Sequence, residues 1–160
     1  MRAWVQRPRE EAYLLNPPFC GALLSVAVTE YGPMPFPLAF LILPVILHKR
    51  TRELLPRDTR TSFVTWLQEH AEARVQFAQR MRALRDHTRQ ALLHSCAHDW
   101  LAIDENGRLR ATAHPTFFSR GDRILSDEAR LCLRRARFLG QWFARAGDST
   151  TVMALWGVRP

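Results

Sequence analysis

The sequence predicts a mainly α-helical protein: a compact helical domain with one small β-hairpin, in an order of elements that is winged-helix-like. Three observations predict it. Apolar residues recur at helical intervals through most of the chain. A single Asn-Gly pair, Asn106-Gly107, separates two short alternating runs. The 160 residues are 47% hydrophobic and 24% charged, a balance that suits one folded domain over 1–160 and excludes disorder.

Asn16 followed by Pro17 reads as a helix start, a capping side chain before a proline at the first helical position, and the pattern runs through Phe19, Leu23, Leu24 and Ala27 to Gly32 and Pro33. The uncharged run Met34 to Leu47 holds 14 residues and three prolines, Pro35, Pro37 and Pro44. A membrane span needs about 20 apolar residues. The run is therefore expected as a buried core segment, helical from about Phe36, kinked or interrupted at Pro44, with everything else packed around it.

Thr61 or Ser62 caps a helix bearing Phe63, Trp66 and Leu67, and the stripe resumes with Val75, Ala78, Met81 and Leu84. A further helix is expected from Asp86 to Asp99. The hairpin then pairs Trp100–Asp104 with Arg108–Thr112, and Ala113 to Arg123 reads as a loop. Ser126 opens a C-terminal amphipathic helix over about 126–147, with Leu131, Phe138, Leu139, Trp142 and Phe143 on one face and Gly147 at its end. The tail to Pro160 offers Val152, Met153, Leu155 and Trp156 for docking.

Net charge is +8, and 22 of the 23 basic residues are arginine, which fits a GC-rich coding genome better than dedicated phosphate chemistry. The stretch from Ala129 to Arg145 carries Arg130, Arg134, Arg135, Arg137 and Arg145 without an acid, so a basic helical face is expected. The helix–hairpin order over about 61–112 is that of a winged-helix unit. Its candidate nucleic-acid contacts are Arg85, Arg89, Arg108 and Arg110, with Arg134 and Arg137 on the last helix. A solvated arginine face explains the same residues. Trp4, Trp66, Trp100, Trp142 and Trp156 are candidate interface anchors, with Trp100, Trp142 and Trp156 preferred, although core packing is the commoner role of tryptophan.

Catalytic chemistry is not marked. No Gly-x-Ser-x-Gly elbow or glycine-rich phosphate loop occurs, and the acids are dispersed. His94 and His98 stand at the i, i+4 spacing of metal-binding helices, but Cys96 points about 200° away from His94 and a third ligand is missing. No metal, cofactor or enzymatic activity is expected. Cys20, Cys96 and Cys132 read as reduced thiols. The segment Met1 to Glu11 lacks the apolar run of a secretory signal, so a cytoplasmic location is expected.

Several phrases occur in a telling order: Asn16-Pro-Pro-Phe19, Pro37-Leu-Ala-Phe-Leu-Ile-Leu-Pro44, Leu47-His-Lys49, Thr51-Arg-Glu-Leu-Leu-Pro56, Thr61-Ser62 and Trp66-Leu67. They continue through Arg89-Gln-Ala-Leu92, Leu139-Gly-Gln-Trp-Phe143 and Leu155-Trp-Gly-Val-Arg-Pro160. Over about residues 16–160 the chain resembles the middle component of three-component ABC systems, the group that includes Lamassu-type anti-phage defence. The resemblance implies a small helical accessory subunit working with an SMC-like or RecN-like ABC ATPase and an effector, often a nuclease. The basic helical faces leave contact with double-stranded DNA through the complex open. The alternative reading of the residues is a free-standing winged-helix DNA-binding regulator.

Overall fold

The computed structural model describes residues 15–113 and 125–159. Within them the fold is mainly helical, with seven α-helices and a small antiparallel sheet. The expectations at Trp4, at Met1 to Glu11 and over nearly all of the 113–123 loop lie outside these residues.

Helix α1 spans Pro17–Tyr31, and the Asn16 side chain accepts a hydrogen bond from the Phe19 amide at 2.8 Å. Gly32, at φ 94°, ends it in a backbone conformation that costs glycine nothing. The apolar run that follows divides into strand β1 (Met34–Pro35), a 3-10 turn (Phe36–Leu38) and helix α2 (Ala39–Ile46). Pro44 removes the N–H that would bond the Phe40 carbonyl, and α2 stops two residues later. All of α2 except Phe40 is buried. It shares the centre of the core with α1, which packs along the two long helices, α5 and α6.

Helix α3 (Lys49–Leu54) is capped by His48, whose Nδ1 accepts from the Thr51 amide. Ser62 caps α4 (Phe63–Glu69), and a 3-10 turn at Ala71–Arg74 leads to α5 (Phe77–Ala97). The expected break at Asp86 does not occur. Its side chain stands 76% exposed, so water satisfies it and nothing draws it into a cap. Strands β2 (Leu101–Ile103) and β3 (Arg108–Ala111) form the expected hairpin, with Gly107 at φ 72° in its turn.

The sheet has one strand more than the hairpin. Met34 pairs with Leu109 and Pro35 with Arg108, giving the strand order β1-β3-β2. Helix α6 (Asp127–Arg145) follows, capped by Ser126 with Asp127 and Glu128 in its first turn, where carboxylates oppose the positive helix end. The tail forms a last helix, α7 (Ser149–Leu155), capped by Asp148.

The core is aromatic at the end built by α4, α6 and α7. The Phe63 ring meets those of Trp142 and Phe143 edge-on at centroid distances of 5.0 and 5.8 Å, and Phe77 stacks on Trp156 at 4.3 Å. The indole N–H of Trp66 donates to the Leu54 carbonyl at 2.9 Å and that of Trp142 to the Thr61 carbonyl at 2.8 Å, so the rings also fix the loop between α3 and α4. No helix among the described residues is long and apolar enough to cross a membrane.

Candidate functional site

Helix α5 turns Phe77, Thr88, Ala91, Leu92 and Ser95 inward. Arg82, Arg85 and Arg89 are exposed on the other side. With 100° per residue they fall, together with Leu93, within about 80° of arc and along roughly 16 Å of axis. Arg85 has only a loose contact with its neighbour Asp86, at 3.9 Å between two exposed side chains. Among the described residues no ion pair is found for Arg82 or Arg89. The row is therefore three guanidiniums with almost no internal compensation. Sequence reasoning names Arg85 and Arg89 but not Arg82, which joins their row because α5 runs unbroken through Asp86.

The hairpin arginines are placed differently. Arg110 Nε donates to Asp104 Oδ2 at 2.8 Å, and Arg108 reaches the Pro33 carbonyl at 3.5 Å. Asp104 organises the turn, since its Oδ1 also accepts from the amides of Asn106 and Arg108 at 2.9 Å each. The Arg108 amide first, then the Arg110 guanidinium and the Asn106 amide, hold its carboxyl below the ordinary carboxylate range. A carboxyl depressed on folding stabilises the hairpin above its unfolded pKa and loses that contribution as pH falls through the folded value. Protection of the β2–β3 amides against hydrogen exchange should consequently drop as pH falls from the ordinary carboxylate range toward the lower folded pKa, and Asp104→Ala should remove this pH dependence. Unchanged protection across that window would refute the role.

On α6, Arg137 Nε pairs with Glu30 Oε1 at 3.2 Å, and Gln141 donates to the other oxygen of Glu30 at 2.7 Å. Arg135 donates to the Pro56 carbonyl at 2.9 Å and lies over the Phe138 ring. Burial, then the neighbouring Arg134, lowers its pKa. Arg130 pairs with Asp127 at 3.3 Å. Arg134 alone of the two α6 candidates projects without an ion pair among the described residues. Of the five arginines of the basic face read from sequence, Arg137 and Arg135 thus hold α6 to α1 and to the α3–α4 loop.

Two of the three preferred anchors are corrected by the structure. Trp142 and Trp156 are each 1% exposed, inside the aromatic core, and present no surface to a partner. The α6 stripe and the tail that suggested them fold on each other instead. Val152 and Met153 are likewise buried. Trp100 is half-buried and packs with His94 and His98, whose rings lie 4.2 Å apart. Burial first, then the charge of His98, lowers the pKa of His94. No group of three or more His, Cys, Asp or Glu among the described residues could hold a metal ion. Burial and the nearby Cys132 push the Cys20 thiol up to about 12, so it stays protonated and unreactive.

The fold is thus a helical one packed around α1 and α2 with a small sheet, and an arginine row with almost no internal compensation lies on the outer face of α5. The chain belongs to the family of ABC-three component (ABC-3C) system Middle Component 3, whose model matches residues 4–160. Membership makes it one component of a multi-subunit system, with partners in that complex. No curated protein and no solved structure matches the chain.

Proposed function

We propose that this chain is a non-catalytic accessory subunit of an SMC-like ABC ATPase complex of the Lamassu type, acting in the cytoplasm in anti-phage defence and linking the ATPase to an effector nuclease. Membership of the middle-component family over residues 4–160 carries the reading. The chemistry of the described residues supports it. The thiols of Cys20 and Cys132 are buried and held protonated, and the half-buried His94 and the exposed His98 pack on the Trp100 indole. What reaches solvent in an organised way is charge, the currency of association rather than of a reaction. Co-expression of the chain with the two other components of its system should give one complex that survives purification. Components that elute separately at physiological salt would sink the proposal.

The second reading is a free-standing winged-helix DNA-binding regulator. The succession of a helix, a short strand, further helices and then a hairpin, with strand order β1-β3-β2, supports a winged-helix-like unit that reaches back to α1. Such units serve in protein docking as well as on DNA, so the architecture alone does not choose. The regulator reading requires the isolated protein to bind duplex DNA with base preference and a steep salt dependence. Absence of binding at low salt removes it.

A further inference from the structure

We infer that the α5 row of Arg82, Arg85 and Arg89, together with Leu93, is a docking surface for an acidic, amphipathic segment of a partner protein. The inference rests on the accessory-subunit reading and specifies where the partner sits. Three features of the surface select this occupant over a nucleic acid.

The first is the mixture of charge and apolar area. Leu93 lies in line with the arginines and is 71% exposed. A phosphate backbone offers it nothing, whereas an amphipathic segment can cover it while its carboxylates meet the guanidiniums two oxygens at a time. Val75, 62% exposed, lies just before the helix, beside an open groove of about 560 Å³ lined by Arg74, Val75, Gln79 and Arg82. A row of cations with an exposed apolar side chain beyond each end, Val75 and Leu93, matches a partner with acids in its middle and apolar residues at both ends.

The second is the hairpin. A wing that follows a duplex needs free cations at its tip, and here the turn carries Asp104 and Glu105 while Arg110 is held by Asp104 at 2.8 Å. Its acids repel phosphate. The third is compensation. In the hairpin and on α6 several cations find acceptors within the chain, as Arg110 does in Asp104, Arg137 in Glu30 and Arg130 in Asp127. Along the row of Arg82, Arg85 and Arg89 only the loose Arg85–Asp86 contact does so. Asp86, beside the row, adds a repulsive mark that sets the register of an acidic partner.

The test uses the full chain in three forms: wild type, the charge reversal R82E/R85E/R89E, and the neutralised R82Q/R85Q/R89Q with Leu93→Ser. All four positions are exposed, so each form should keep the thermal midpoint of the wild type. Each is measured for assembly with the two other components of its system and for binding to a 20-base-pair DNA duplex. The reversal should weaken assembly by at least about 100-fold and the neutralised form by at least about tenfold, with duplex binding changed less than assembly in both. Assembly that is intact in both variants overturns the docking surface and leaves the subunit reading standing. Duplex binding that falls with the row while assembly holds assigns the row to nucleic acid and equally overturns it. A wild-type chain that joins neither component removes the subunit reading, and the docking surface with it.

Discussion

Arg52→Ala is expected to destabilise the protein by about 3–5 kcal/mol, the cost of breaking a buried charged network from one side. Arg52 is 1% exposed, although it belongs to α3, whose sequence Lys-Arg-Thr-Arg-Glu-Leu reads as a surface helix. Its Nη1 donates to the Ile46 carbonyl at 2.6 Å, just past the end of the intrahelical bonding of α2, and its Nη2 to Glu128 Oε1 at 2.9 Å. One side chain therefore satisfies a buried C-terminal carbonyl of α2 and ties α3 to the first turn of α6. Removing it strands that carbonyl, with only the weak Cys132 thiol at 4.0 Å left as a donor, and opens a cavity.

Two companion variants separate packing from charge. Arg52→Met keeps the aliphatic stem and should recover about half of the loss, because an apolar isostere removes the desolvation cost together with the pair. Glu128→Ala leaves a buried cation, but Glu128 is itself 49% exposed and water screens the site, so a loss of only about 1–2 kcal/mol is expected. Urea denaturation followed by tryptophan fluorescence reads all three. For a chain of this size the Arg52→Ala loss corresponds to a fall in Tm of about 6–20 °C. An Arg52→Ala protein within about 1 kcal/mol of wild type would show that the bridge contributes nothing.

Legibility in the sequence followed the range of the interactions. The caps at Asn16, Ser62 and Ser126 were readable because an N-cap side chain answers an amide three residues on. Asp148 caps α7 by the same rule, bonding the Thr151 amide at 2.7 Å, so the tail helix carried a signal that the apolar pattern alone obscured. The hairpin was readable from Asn106-Gly107. Strand β1 was not, since a proline-containing pair of residues becomes a strand only by meeting β3 more than 70 positions away. The unbroken run of α5 escapes for the opposite reason: Asp86 is a plausible local helix start, but the packing of Leu84, Thr88 and Ala91 carries the helix straight through. The periodicity of α6 already places Trp142 on its apolar face, whereas the buried Arg52 depends on which helices meet, which periodicity does not encode.

Gly140→Ala is expected to destabilise the protein by about 2–4 kcal/mol. Gly140 lies in the middle of α6 where it crosses α1, and a Cβ there would stand 2.2 Å from the Ala27 carbonyl oxygen and 3.0 Å from the Ala27 Cα. These are backbone atoms of a helix that is itself packed between α5 and α6, so neither neighbour can turn aside. Alanine's better helix propensity returns about 1 kcal/mol and does not offset the clash. Gly21, where α1 crosses α5, supplies the control. A Cβ there meets Ser95 Oγ at 2.5 Å and the Ala91 carbonyl oxygen at 3.2 Å. The closest obstacle is a hydroxyl that has no hydrogen-bond partner in its buried site. Gly21→Ala should therefore cost less than Gly140→Ala, and Ser95→Ala should be neutral or stabilising by itself, since it deletes an unsatisfied polar group. The pair Gly21→Ala with Ser95→Ala should recover most of the Gly21→Ala loss, a coupling read from a double-mutant cycle. Gly140 has no such escape, because its obstacle is main chain. Equal losses at the two glycines, or a Gly140→Ala protein as stable as wild type, would mean that the α1–α6 crossing is looser than 2.2 Å implies.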